Sequence, residues 1–119
     1  MAKEPLQVER LDRGVLSFHG PLTMENVPPF LNAVRREGAP TMILDFSNVP
    51  YLDSSGLGSL VSAYTSCAKA GRRVALTGVN SRVRKVFEIT KVEQVFLMFP
   101  TLNDALEAFT NAGRSEELV

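Results

Sequence analysis

Asp53, Ser54 and Ser55 stand in a row between an apolar stretch and a helix-periodic one, with Gly56, Leu57 and Gly58 completing the segment. A carboxylate beside two hydroxyls at such a junction offers three kinds of chemistry: a serine nucleophile, a phosphoryl acceptor, or a helix cap. The surroundings argue against the nucleophile. Leu52-Asp53-Ser54-Ser55-Gly56 lacks the Gly-x-Ser-x-Gly elbow, and the sole histidine, His19, precedes the serines instead of following them. A nucleotide cradle is equally unsupported, because no Gly-x-x-x-x-Gly-Lys pattern occurs. Phosphoryl acceptance and helix capping both stay open.

The helix after this turn is predicted over residues 54–70, with Leu57, Leu60, Val61, Tyr64 and Ala68 at the spacing of one buried face. At about 100° per residue, Ser54 falls at the edge of that stripe, and Ser55 falls opposite it together with Ser59, Ser62 and Ser66. A solvated helix surface normally carries Lys, Glu and Arg, yet between residues 54 and 70 the only charged side chain is Lys69. Small hydroxyls let another backbone approach without desolvating charges. The expected partner-binding residues are therefore Asp53, Ser54, Ser55, Gly56, Gly58, Ser59 and Ser62, centred on Ser55. The plainer reading of the same residues is Asp53 or Ser54 as N-cap, with Gly56 and Gly58 permitting tight turn geometry.

These side chains need a scaffold, and the chain has 119 residues to build one, enough for a single core. We expect one domain over residues 1–113 and a polar tail over 114–119. Hydrophobic residues make up 45% and charged ones 22%, as in an ordinary globular protein. Thirteen basic and thirteen acidic side chains cancel, so no global field attracts nucleic acid or an anionic membrane. No apolar run reaches the length of a membrane span, and the first residues lack a signal-peptide core, so a cytoplasmic location is expected. Cys67 is the only cysteine and reads as a small buried thiol; with His19 alone beside it, neither a metal nor another cofactor is expected.

Runs 6–11 and 15–19 read as strands of an antiparallel hairpin turned by Asp12-Arg13-Gly14. Asn26 is placed to cap a helix with Pro28 and Pro29 in its first turn and Val27, Phe30, Leu31 and Val34 inward. Residues 41–46 read as a strand covered on both faces, and 73–77 as another. A third helix buries Val83, Val86, Phe87 and Thr90 and leaves Arg82, Arg84 and Lys85 to water. Residues 95–99 read as the last strand. Thr101 with Asp104 resembles a capping box for a helix turning Leu102, Ala105, Leu106 and Phe109 inward. The alternation after the hairpin predicts an α/β domain with a mixed sheet of four to five strands, parallel β-α units and about four helices. Ser55 then lies where a central strand ends and a helix begins, the usual place for ligand chemistry in such sheets.

Asp53-Ser54-Ser55-Gly56-Leu57-Gly58, after an apolar strand in a chain of this size and element order, resembles the STAS domain of bacterial anti-sigma factor antagonists. Gly20-x-Leu22, Gly71-Arg72-Arg73-Val74 and the Ala105 helix support the likeness. The resemblance implies that Ser55, the second serine of the motif, is phosphorylated by an anti-sigma factor serine kinase, which the unphosphorylated form binds. It implies a metal-dependent serine phosphatase that resets the cycle, and a domain that is a substrate and not an enzyme. It also implies that Ser54 supports the loop, while Asp53 orients the turn or meets a partner's cation. Residues 20–25 depart from the family pattern, with Pro21, Thr23 and Met24 where acidic and polar residues are usual. A second expectation, also drawn from the resemblance, is a non-switching STAS subunit of a stress-signalling or lipid-transport complex.

Overall fold

The computed structural model describes the backbone of residues 4–118 and the side chains of residues 4–110. Two short strands, β1 (Gln7–Asp12) and β2 (Val15–His19), form the expected hairpin. Its turn depends on Gly14, which sits at φ +80°, where a Cβ would also stand 2.3 Å from the Thr41 carbonyl oxygen. A 3-10 turn (Met24–Asn26) leads into α1 (Val27–Arg36), followed by β3 (Thr41–Asn48), α2 (Ser54–Lys69), β4 (Arg73–Thr77), α3 (Ser81–Ile89), β5 (Met98–Phe99) and α4 (Leu102–Leu118). The sheet order is β1-β2-β3-β4-β5, antiparallel between the first two strands and parallel thereafter.

The central strand explains the layering. Met42, Ile43 and Leu44 are all buried, so β3 is covered on both faces. On one face Met42, Leu44 and Phe46 join Phe18 of β2, Phe30 of α1, Leu60 of α2 and Phe87 of α3 in the main core. Phe18, Phe30 and Phe46 form a trio with ring centroids 5.2, 5.6 and 6.4 Å apart, and burying each ring stabilises the fold by roughly 2 to 3 kcal/mol. On the other face Val15 and Ile43 pack against Ala105 of α4, with Phe99, Leu102 and Phe109 beside them.

Outside α2, three expectations about individual residues and one about a strand fail, each for a local reason. Asn26 does not cap α1 with its side chain. The 3-10 turn brings it into the helix at φ −98° and ψ 0°, not in the extended form a cap needs. Its buried amide instead accepts from the Leu6 N–H (3.2 Å) and donates to the Glu4 and Pro21 carbonyls (3.0 and 2.7 Å), fastening the N-terminal segment. Thr90 is exposed at the end of α3, where its hydroxyl donates to the Val86 carbonyl (2.7 Å). The last strand shrinks to β5 because Phe96 is drawn into the core between Tyr64 and Phe87, with centroids at 5.1 and 4.9 Å. Leu106 is 41% exposed, since only the Leu102, Ala105 and Phe109 side of α4 meets the sheet. The Thr101 hydroxyl does accept from the Asp104 N–H (3.1 Å) as the capping box requires, and α4 then extends through 114–118, where the sequence predicts a tail.

Candidate functional site

Past the carboxyl end of β3 the chain is pinned before α2 begins. Val49 and Leu52 are buried, and Leu52 forms a parallel bridge with Leu22. Around that bridge the Leu22 N–H donates to the Tyr51 carbonyl (3.1 Å) and the Asp53 N–H to the Leu22 carbonyl (3.3 Å). Asn80, at the start of α3, donates to the Val49 and Pro50 carbonyls (3.1 and 3.2 Å) while accepting from the Val83 N–H (2.8 Å). The turn is thus stitched to the segments on both sides.

Asp53 is the N-cap of α2, in extended conformation, and both of its carboxylate oxygens are engaged. Oδ1 accepts from the Gly56 N–H (2.8 Å), and Oδ2 accepts from the Met24 N–H (3.0 Å). One side chain therefore closes the helix and holds the neighbouring 3-10 turn. Gly56 is present for space: a Cβ there would stand 1.9 Å from the Leu22 carbonyl oxygen. Neither Gly56 nor Gly58 has a positive φ, so neither serves the tight turn that the sequence suggests.

Ser54 and Ser55 occupy the first two helical positions and are exposed, and the Ser55 hydroxyl has no hydrogen-bond partner among the described residues. Here the leading N–H groups of a helix lack intrahelical acceptors, and that of Gly56 is already taken by Asp53. Gly58 and Ser62 are exposed as expected, and nothing lies within 4 Å of a Cβ built at Gly58. Ser59 is not. It is 7% exposed and its hydroxyl donates to the Gly56 carbonyl (2.7 Å). Gly56, Ser59, Ala63 and Cys67 form a second buried line, packed toward Leu22 and α1, whereas Ala68, assigned inward by periodicity, is exposed. Gly56 and Ser59 thus leave the partner-facing set, and Ser54, Ser55, Gly58 and Ser62 remain on the surface beside the capping Asp53.

Two neighbours that the sequence reading left out of the partner-binding set stand beside it. Met24 is 63% exposed on the turn that Asp53 holds. The Arg82 guanidinium lies 4.8 Å from the Tyr51 ring centroid, a cation–π contact beside the same loop. The departure of residues 20–25 from the family pattern was the available signal for the first, and an N-capping Asn80 ahead of Ser81 for the second. His19 lies 3.2 Å from the Ser17 hydroxyl, which points to Asp45 (3.4 Å), so the histidine serves a separate network and neither motif serine. Resolved pKa shifts lie at the other end of the sheet. The hydrogen bond from Arg10 holds the Glu37 carboxyl below its ordinary range, burial opposing and the Ala39 N–H assisting, and Glu37 in turn raises Arg10. Among the described residues no helix is long and apolar enough to cross a membrane.

The STAS domain profile matches residues 4–105. A Thermotoga neapolitana protein provisionally described as an anti-sigma factor antagonist is 33% identical over 78 residues, an alignment spanning 66% of each chain. The anti-sigma-B factor antagonist of Staphylococcus aureus is 29% identical over 73 residues, 61% of this chain and 68% of that protein. The crystal structure of an anti-sigma factor antagonist from Mycobacterium paratuberculosis superposes with a TM-score of 0.72 at 29% identity, covering 87% of this chain and 91% of that one.

Proposed function

The chain belongs to the STAS domain family, and from that premise we propose that it is an anti-sigma factor antagonist switched by phosphorylation of Ser55. Unphosphorylated, it binds an anti-sigma factor serine kinase through Ser54, Ser55, Gly58 and Ser62; phosphorylated, it is released, and a metal-dependent serine phosphatase resets it. The domain is the kinase's substrate and performs no catalysis of its own. The observation that carries this reading is an exposed hydroxyl, without a partner among the described residues, at the second residue of a helix whose only charged side chain is Lys69.

The physical chemistry of the switch follows from that place. A phosphoryl group adds about −1.5 to −2 charge at neutral pH, and the leading N–H groups and dipole of α2 accommodate it, so the fold survives. Asp53 stands beside it with the opposite tendency, which keeps the net effect on stability small. An interface formed by hydroxyls and glycine suits close, uncharged contact, so the added charge must be desolvated there, and a loss of about 3 kcal/mol weakens binding roughly a hundredfold.

Incubation with the cognate kinase and ATP, followed by mass measurement, tests the assignment. We expect one added phosphate on the wild type and none on Ser55→Ala; an unchanged phosphate count on the variant excludes Ser55. Ser55→Asp should lower kinase affinity about a hundredfold while Ser55→Ala retains it. A non-switching STAS subunit would show neither effect, and its intact mass from cells would carry no phosphate in any growth condition.

A further inference from the structure

A cleft of about 630 Å³ opens between β1 and the carboxyl end of α1. Its floor is apolar: Val8 and Leu16 from the hairpin face Ala33 of α1. Its rim is not, because Arg10 of β1, Arg13 of the hairpin turn and Arg36 of α1 line it together. The one acidic side chain in the wall, Glu37, is already committed. Its carboxylate is 3% exposed and accepts from Arg10 Nε (2.8 Å) and the Ala39 N–H (3.2 Å). Asp12, next along the rim, is bound through Oδ1 to the Arg13 N–H (2.8 Å).

The α1 dipole accounts for a basic residue at position 36. It does not account for two further arginines on the hairpin, or for Val8 lying 37% exposed beneath them. The buried Glu37 fixes Arg10 through one of that side chain's five N–H donors, a preorganised arrangement of the kind that orients an anion-binding fork. The cleft's size falls in the range of small-molecule sites, about 300 to 1,000 Å³, and those sites combine apolar walls with a few placed polar groups.

We propose that this cleft binds an amphiphilic anion, its phosphate or carboxylate head held by Arg10, Arg13 and Arg36 and its apolar chain laid over Val8, Leu16 and Ala33. The chemistry is shared by a free acyl or alkyl phosphate and by an anionic lipid headgroup. The site is independent of Ser55, since no residue of the Ser55 turn or of α2 lines the cleft.

Titration of the ¹⁵N-labelled full chain with octyl phosphate tests the proposal. The N–H signals of Val8, Ala33 and Gly38 should shift, with Ser55 unmoved. Inorganic phosphate and neutral octyl glucoside should each bind at least about tenfold more weakly. Arg13→Gln combined with Arg36→Gln alters two exposed side chains and leaves the Arg10–Glu37 pair intact, so the variant should fold normally and lose at least about tenfold in affinity. Flotation with phosphatidylglycerol vesicles, lost in the double variant, assigns the ligand to a lipid surface. Octyl phosphate binding without flotation assigns it to a free amphiphile. Equal binding of octyl glucoside, flotation or octyl phosphate affinity unchanged in the double variant, or no shift at Val8 and Gly38 overturns the proposal.

Discussion

The two ends of β3 handle charge in opposite ways. At its carboxyl end the surface offers Ser54, Ser55, Gly58 and Ser62, and the capping carboxylate of Asp53 is occupied by two backbone N–H groups. At its amino end Arg10 clasps the buried Glu37, while Arg72 donates to the Glu37 and Ala39 carbonyls (2.6 and 3.0 Å). Fixed charges hold the scaffold together where nothing has to change. Where a charge is proposed to come and go, α2 itself carries no charged side chain before Lys69, so one phosphate changes the character of the helix surface.

That contrast can be broken most severely at Gly56. Gly56→Ala places a methyl against the Leu22 carbonyl, part of the backbone, and should cost about 3 kcal/mol or more in chemical denaturation. Next comes Asp53→Ala, which frees the Gly56 and Met24 N–H groups together; we expect a loss of about 1 to 2 kcal/mol and faster amide exchange at Met24. The opposite pole is probed by pH. Because folding lowers the Glu37 pKa from its ordinary 4.5, its contribution is full above that value and lost as pH falls through the lower folded value. Stability measured between about pH 5 and pH 3 should therefore decline less steeply in Glu37→Gln than in the wild type. The smallest effect belongs to Gly58→Ala, which meets open space and should raise helix stability by about 0.5 to 1 kcal/mol; a marked loss would show that this glycine is structural after all.

Sequence periodicity carried the central strands well because they are short, apolar and close to Gly or Pro on either side, as with 73–77 between Gly71 and Gly78. It carried the site less completely. A helix packed against a sheet alone shows one stripe, and Leu57, Leu60 and Tyr64 supplied it. α2 also meets α1 and the Leu22 segment, so a second line of Gly56, Ser59, Ala63 and Cys67 goes inward. Those residues are small because neighbouring backbone comes close, and small residues look alike whether the close neighbour belongs to the same chain or to a partner. Their recurrence at three- and four-residue steps was visible, but its meaning depended on where α1 lies. The double use of Asp53 was beyond reach for a similar reason, since Met24 is far away along the chain.

The contact of Gly56 with the Leu22 carbonyl has a practical corollary for retargeting. It welds the serine-bearing helix to a neighbouring loop without using any side chain of residues 23–25, so a library randomised over Thr23, Met24 and Glu25 can vary the surface beside Ser55 while its hydroxyl stays in register.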